Sequence, residues 1–295
     1  MQTDVRARAR TSPSLWFRRR GWRHLVAGIA ALFALFPVAY VTSAAFNSID
    51  NLSAATLIPR SVTLDNFKAI TASTVTPIGA WLVTSFKIAL AAAIPTVLVA
   101  ASAAYAFSRL RFVGRRFLLT SLLVMQIFPQ FLGFVAFFAL AREAGSITSL
   151  LGLNSHFLLV LIYLGGAAGF NAFLLKGFLD SIPSSLDEAA IIDGAGEVSI
   201  FFRIILPLAR PMLAVIFILS FVAAFNEYIL AATLLSSTES FTLPVGLQVF
   251  LQRDYGQKWG LLSAVSLVAA LPVVAVFLGA QRQILGGLTA GGVKN

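Results

Sequence analysis

Cysteine is absent from the 295 residues, and histidine occurs only twice, at His24 and His156. A chain without cysteine forms no disulfide and no thiolate metal site, and two separated histidines do not indicate a metal cluster. Charged residues are also scarce, at 12%, whereas hydrophobic residues make up 58%. Soluble domains contain about 25% charged residues, so this balance favours an integral membrane protein.

Six apolar stretches are long enough to cross a bilayer, which takes roughly 20 helical residues. We predict an all-α membrane protein whose domain of six transmembrane helices covers residues 24–280, with spans at 24–46, 80–107, 117–140, 156–176, 211–235 and 260–280. The first stretch follows many arginines and could pass for a signal peptide. It is longer than a signal core of about 7–15 residues, which favours a retained span.

Lysine and arginine are distributed unequally between the two sides that six spans define. Most of them lie in the arm at 1–23, the segment SRLRFVGRR at 108–116, the loop at 177–210 and the tail at 281–295. The positive-inside rule therefore predicts cytoplasmic N- and C-termini and places loop 236–259 outside. This pattern accounts for the net charge of +10 without nucleic acid as a partner.

The segment EAAIIDGAGEVSIFFRIILP, residues 188–207, begins with acids in an otherwise apolar chain. Ser185, three residues before Glu188, fits a capping box, and glycine at 194 and 196 suits a helix end and a turn. We predict two short helices joined by this turn, with candidate contacts to another protein at Ser185, Asp187, Glu188, Ala189, Ala190, Asp193, Gly194 and Pro207. From these residues alone, a plain solvated loop fits equally well.

The spacing of EAA, Gly194 and ILP at 205–207 resembles the signature of inner-membrane permease subunits of binding-protein-dependent ABC importers. AYAFSRLRFVGRR (104–116), TLPVGLQVFL (242–251) and GLTAGGVKN (287–295) are similar to the smaller permease of maltose and maltodextrin importers. The resemblance implies the type I ABC importer permease fold in a bacterial inner membrane. It also implies a second permease subunit, a homodimeric ATPase, an extracytoplasmic sugar-binding protein and an oligosaccharide substrate: maltose or maltodextrin first, trehalose second.

In that family the 188–207 loop is a coupling helix that seats on the ATPase. Glu188 is then expected to pair with a basic ATPase residue, Ala189 and Ala190 to permit close seating, and Gly194 to shape the turn. No lysine follows a glycine, as a phosphate-binding loop requires, so ATP is expected to be bound by the partner ATPase and this subunit to be non-catalytic.

Two further contact segments are implied by the same resemblance. The tail is expected to reach the ATPase interface through Gly287, Leu288, Thr289, Ala290, Gly291, Gly292, Val293 and Lys294. The loop at 236–259 is expected to contact the binding protein through Gln252, Arg253, Asp254 and Tyr255. Without the resemblance, a flexible end and a solvated connection explain these residues as well.

Lys87 and Glu227 lie within apolar runs, where a charged side chain is costly and usually paired or functional. Each stands at a similar distance from the outer end of its span, so we predict an ion pair, with snorkelling of Lys87 as the alternative. Further polar or aromatic candidates for sugar contact are Asn226, Tyr228, Gln126, Asn171 and Phe225. The competing function is a self-sufficient secondary transporter or channel that uses Glu227.

Overall fold

The computed structural model describes residues 21–48, 57–59, 61–72, 77–252 and 258–291, with side chains as far as residue 284. The regular elements in these ranges are helical, apart from one isolated β-bridge between Asn47 and Val62. The α-helices are α1 (Trp22–Ala45), α2 (Asp65–Ala72), α3 (Ile78–Arg109), α4 (Arg115–Ile127), α5 (Phe134–Ile147), α6 (His156–Leu179), α7 (Ser185–Ile192), α8 (Glu197–Ile200), α9 (Leu206–Asn226), α10 (Ile229–Leu234), α11 (Leu243–Gln252) and α12 (Trp259–Gly291).

Six helical stretches within the described ranges are long and apolar enough to cross a membrane. They are Trp22–Ala45, Ile78–Arg109, Gln130–Ile147, His156–Leu179, Glu197–Asn226 and Trp259–Ile284. The prediction of an all-helical chain with six spans is therefore confirmed, although the third and fifth spans differ in their bounds from the predicted ones.

The chain divides into two units, of which the first comprises residues 1–69 and 257–267. Within it, the Asn66 side chain donates 3.0 Å hydrogen bonds to the carbonyls of Ala45 and Asn47. The Phe46 and Phe67 ring centroids are 4.9 Å apart. These contacts fold the start of α2 back onto the end of α1.

The second unit comprises residues 70–256 and 268–295, and α3 is its central helix. It packs along α6 and α9 and also contacts α11. Most of its buried side chains are small, including Ala89, Ala93, Ala100, Ala101 and Ala104. Because alanine lets helix backbones approach closely, α3 can be covered on several sides at once.

The third predicted span, 117–140, is not one helix. Helix α4 ends at Ile127, Phe128 is extended (φ −67°, ψ 130°), and a 3₁₀ turn at Gln130–Gly133 leads into α5. Pro129 explains the break, because a proline disfavours the helical conformation of the residue before it.

The fifth predicted span, 211–235, lies too far along the chain. The helix begins at Glu197, passes through a π-helical segment at Phe201–Ile205 and ends at Asn226. Pro207 has no N–H to donate to the carbonyl four residues earlier, and the wider π-helical turn lies directly before it. Pro207 is therefore inside this helix rather than at its end.

Two segments predicted as loop or tail are also helical. The loop at 236–259 contains α11, and α12 continues beyond the predicted end at 280 to Gly291. Sequence analysis predicts a solvated connection for the first segment and a flexible end for the second, and both contain regular helix instead. Pro244 stands in the first turn of α11, where its missing N–H has no helical partner to lose.

Candidate functional site: the α7 segment

The α7 segment, residues 180–205, is held in shape by a glycine turn at the end of α7. Gly194 has φ +82°, its N–H donates to Ile191 O at 3.0 Å, and the Ala195 N–H donates to Ala190 O at 2.9 Å. This is the Schellman pattern that ends a helix with a left-handed residue. A Cβ at Gly194 would meet no atom within 4 Å, so the backbone angle is what favours glycine there.

The start of α7 differs from the predicted capping box. Ser185 is the first helical residue, and the side chain of the preceding Ser184 makes no capping hydrogen bond. Main-chain carbonyls instead accept hydrogen bonds from the first N–H groups of α7: Pro183 O accepts from Leu186, and Ser184 O accepts from Asp187. A turn from Pro183 into the helix thus replaces the side-chain cap.

An ion pair joins α7 to the last residue of α3. The Arg109 Nε lies 2.6 Å from the Asp187 Oδ2, and the two side chains are only 13% and 14% exposed. A second nitrogen of Arg109 donates to Ile182 O at 2.9 Å. One guanidinium therefore fixes both the helix and the chain that leads into it, at a site with little solvent screening.

A second polar junction lies at the end of α6. The Asp180 carboxylate accepts from Lys176 at 2.5 Å and from Ser108 at 2.7 Å. Partial burial opposes ionisation, but the bonds from Lys176 and Ser108 outweigh it, so the pKa of Asp180 is lowered. Ser108 and Arg109 together tie the end of α3 to the whole α7 segment.

The inner side of α7 is packed against the same bundle. Ala190 is 8% exposed and belongs to a cluster with Leu175, Leu179, Ile200 and Ile205. Ala190, expected together with Ala189 to permit close seating of another protein, is instead covered by apolar side chains from α6 and from residues 200–205. Ala189 is exposed.

The outer side of the segment carries exposed apolar side chains, although its sequence begins with acids. We call this set, formed by Leu186, Ile191, Ile192, Val198 and Phe202, the α7 apolar surface; Ile192 is 86% exposed. Glu188 and Asp193 are also exposed and add negative charge. Large exposed apolar side chains with a polar rim are typical of a protein interaction site.

At the opposite end of α3, the chain after α10 is held by buried and polar contacts. The Asn154 side-chain oxygen accepts from the N–H groups of Ser236 and Ser237 at 2.7 and 3.0 Å. Trp81 donates from Nε1 to Thr238 O at 2.8 Å. A Cβ at Gly246 would lie 2.1 Å from Cε3 of Trp81, so only glycine lets α11 rest on that ring.

Of the residues predicted to contact a binding protein, Gln252 ends α11 and is exposed. Arg253, Asp254 and Tyr255 lie outside the described residues. In the predicted tail, the backbone from Gly287 to Gly291 continues α12, while Gly292, Val293 and Lys294 lie outside the described residues.

The predicted ion pair between Lys87 and Glu227 is absent from the described part of the chain. Glu227 instead accepts from the Tyr163 hydroxyl at 2.7 Å and from the backbone N–H groups of Leu230 and Ala231 at 2.8 and 3.0 Å. Its carboxylate therefore caps α10 at the break after α9. Lys87 is exposed, as the snorkelling alternative requires.

Sequence analysis missed Arg109, Asp180 and Ser108 as parts of the site. Arg109 was interpreted only as one of many basic residues that set orientation. The available signal was Asp187, an acid with no basic residue three or four positions away. Nothing in the sequence indicated that its partner lies at the end of α3.

Comparison with known proteins identifies the family. Residues 96–284 match the family described as binding-protein-dependent transport system inner membrane component, and this range contains the α7 segment. The chain belongs to this family. It is thus the permease component of an ABC transporter, a non-catalytic multi-pass protein of the inner membrane, as the resemblance implied.

Curated relatives match the permease over most of its length. The galactooligosaccharides transport system permease protein GanQ of Bacillus subtilis is 39% identical over 272 residues, covering 92% of this chain and 94% of the relative. The maltose/maltodextrin transport system permease protein MalG of Vibrio parahaemolyticus is 40% identical over 273 residues, covering 88% and 90%. MalG of Escherichia coli is 38% identical over 282 residues.

Solved structures share the fold. One is a bacterial ABC transporter involved in the import of the acidic polysaccharide alginate, which covers 92% of the permease with a TM-score of 0.70 and 24% identity. Another is the alginate transporter in complex with a pentasaccharide-bound periplasmic protein, with a TM-score of 0.61 and 19% identity. The permease therefore has the fold of an ABC importer permease.

Proposed function

We propose that the permease forms half of the translocation pathway of an ATP-driven oligosaccharide importer and receives its driving force through the α7 segment. The α7 apolar surface is the observation that carries this proposal. Three of its five residues, Leu186, Ile191 and Ile192, lie on a short helix outside the six candidate spans, and the Arg109–Asp187 ion pair anchors that helix to α3. Because this ion pair is nearly buried, it holds α7 firmly to α3. A protein that binds the surface and moves α7 would therefore also move α3.

The partner at this surface is the ATPase, in the orientation that places both termini and loop 177–210 in the cytoplasm. Glu188 and Asp193 are exposed beside the apolar side chains and are available to basic residues of the ATPase. ATP is bound by that partner, and the tail from Gly287 to Lys294 reaches the ATPase interface. A second permease subunit completes the pathway.

The solute is an oligosaccharide of the maltodextrin or galactooligosaccharide class. Relatives at 38–40% identity carry both descriptions, so the permease alone supports the broader class. Maltodextrin is our first choice and galactooligosaccharide our second, ahead of trehalose. An extracytoplasmic binding protein delivers the sugar, with Gln252 and residues 253–255 as its contacts.

The test uses the complete complex, purified through this subunit into nanodiscs together with its own binding protein. ATP hydrolysis is measured with maltose, maltotriose, trehalose and β-1,4-linked galactotriose. We expect an ATPase to co-purify and one class of these sugars to stimulate hydrolysis several-fold.

Ile192→Asp places a charge in the α7 apolar surface and is expected to release the ATPase during purification. Ile147→Asp is the matched control, because Ile147 is 87% exposed at the end of α5, outside the α7 segment. Equal retention of the ATPase by the two variants contradicts the assignment of the docking surface. A complex that no sugar of the panel stimulates contradicts the solute class.

A further inference from the structure

Two helix breaks, one at the start of the third candidate span and one at the end of the fifth, contact neighbouring positions of α6. At the break between α4 and α5, Gln126 donates to Gly166 O at 3.3 Å. At the break between α9 and α10, Glu227 accepts from the Tyr163 hydroxyl at 2.7 Å. Tyr163 and Gly166 are three residues apart, which puts them on one face of α6 within roughly 4.5 Å along its axis.

This shared attachment places both breaks at one level of the bundle, near the middle of α6. Irregular backbone is unusual at this depth in a membrane, because unsatisfied peptide groups are costly in hydrocarbon. Interrupted helices at membrane depth occur where the chain is buried in protein or lines a water-filled cavity. The breaks therefore indicate a face turned away from lipid.

Each break also presents an exposed amide. Gln130 donates to Gln126 Oε1 at 3.4 Å, and Asn226 donates to Val222 O at 2.9 Å. Both side chains are exposed, and these bonds leave each with its carbonyl oxygen and one N–H unused within the described part of the chain. Aromatic side chains stand beside them, with Phe131 and Tyr228 exposed as well.

We propose that Gln130 and Asn226 bind hydroxyl groups of the sugar as it passes through the membrane. Amides combine donor and acceptor in one group and so match a hydroxyl, which is both. Exposed rings beside a few fixed polar groups are the usual lining of a site for a small uncharged ligand. The proposal rests on the proposed function, since it assigns where on this subunit the sugar makes contact.

Accessibility is tested first, on the intact complex. The chain contains no cysteine, so Gln130→Cys and Asn226→Cys each introduce a single thiol into this subunit. A membrane-impermeant maleimide is added, and its attachment to this subunit is measured by mass spectrometry with and without maltotriose or galactotriose and the binding protein. Val135→Cys is the control at an exposed apolar position of α5.

We expect both amide positions to be labelled and the transported sugar to slow labelling at least threefold, with the control position unaffected by sugar. Absence of labelling at both positions overturns the proposal, because it places them against lipid or the second permease. Labelling that neither sugar changes overturns the sugar contact and leaves only a water-filled face.

Transport is measured second, as uptake of the radiolabelled sugar into proteoliposomes. Gln130→Met and Asn226→Leu remove the amides at similar size, and we expect each to lower uptake about 3- to 10-fold, the effect of one uncharged hydrogen bond. Leu132→Met changes an exposed apolar residue of the same 3₁₀ turn and should leave uptake unchanged.

The outcomes separate this proposal from the proposed function. If the unsubstituted complex moves neither sugar, the solute class fails, whereas the labelling experiment still decides whether the breaks face water. If the unsubstituted complex transports and both amide variants do so equally well, only the sugar contact is wrong. Loss of the second permease from the variants assigns the amides to the subunit interface and also overturns it.

Discussion

At the residue scale, Gly194 has the clearest physical requirement in the α7 segment. Its φ of +82° costs a residue with a side chain roughly 1–2 kcal/mol. We expect Gly194→Ala to weaken the affinity of the permease complex for its ATPase about 5- to 30-fold, because the turn that sets the end of α7 is strained. Titration of labelled ATPase onto nanodisc complexes measures this change.

Gly196→Ala is the matched control for that substitution. Gly196 has φ −77°, and a Cβ there would meet no atom within 4 Å. Its affinity should therefore stay within about twofold of the unsubstituted complex. Equal losses from the two alanine substitutions would show that the left-handed angle is not the determinant.

The lowered pKa of Asp180 predicts that the stability of the permease depends on pH. Its pKa is lowered in the folded chain, so its contribution to stability is complete above the unfolded value of about 3.9 and is lost as pH falls through the folded pKa. Ser108→Ala removes one of the bonds that lower this pKa, so the folded pKa moves towards the unfolded value and the stability lost between pH 7 and pH 3 should be smaller. Melting temperatures of the solubilised permease between pH 3 and 7 test it; identical profiles would contradict the role of Ser108.

At the scale of elements, the junction between α3 and α7 depends on two opposite charges with little exposure. Arg109→Met or Asp187→Leu alone leaves one charge without its partner, and each should reduce sugar-stimulated ATP hydrolysis strongly. The double variant should recover part of the loss, with a coupling free energy of about 1–3 kcal/mol. Simple additivity of the two single effects in the same assay would mean that the pair does not act as a unit.

Glu227, at the break between α9 and α10, and Lys87, on α3, are two charged residues in apolar runs whose substitution should have different effects. Glu227→Leu removes the acceptor for Tyr163 and for two backbone N–H groups, so we expect a clear fall in the yield of assembled complex. Lys87→Met should leave the yield unchanged, because the exposed Lys87 side chain has no partner within the described residues. Size-exclusion profiles of the two variants give the comparison, and equal yields would argue against the cap.

Composition and residue spacing predicted some of these elements correctly and missed the bounds of others. Six apolar runs were predictable because crossing a bilayer sets a minimum helix length. The turn at Gly194 was predictable because few residues other than glycine adopt a positive φ. The ends of α4 and α9 were missed because hydropathy averages over residues and does not register backbone breaks. Burial of Ala190 depends on side chains from α6 and from residues 200–205, which the sequence pattern of α7 alone does not contain.

At the scale of the whole molecule, α3 connects two distant contact regions. It has 32 residues and is therefore roughly 48 Å long. Trp81 near its beginning holds α11 and the preceding chain, and Arg109 at its end holds α7. In the proposed orientation these are the regions that meet the binding protein and the ATPase.

This arrangement predicts that the two ends of α3 can be impaired separately. Gly246→Ala places a Cβ against Trp81 and should reduce stimulation of ATP hydrolysis by the sugar-loaded binding protein, while the ATPase remains in the complex. Arg109→Met should impair ATPase retention as well. Co-purification and stimulated hydrolysis, measured side by side, distinguish the two; loss of the ATPase from the Gly246→Ala complex would contradict this separation.

The Arg109–Asp187 pair also has a consequence for biosynthesis. Arg109 leaves the ribosome long before Asp187, and α6 must enter the membrane between them. Helix α7 can therefore form this ion pair only after α3, α6 and α7 itself have been made, and the cluster around Ala190 is complete only once residues 200–216 have followed. Recruitment of the ATPase by the α7 apolar surface would thus select, among newly made chains, those in which α3, α6 and α9 are already in place.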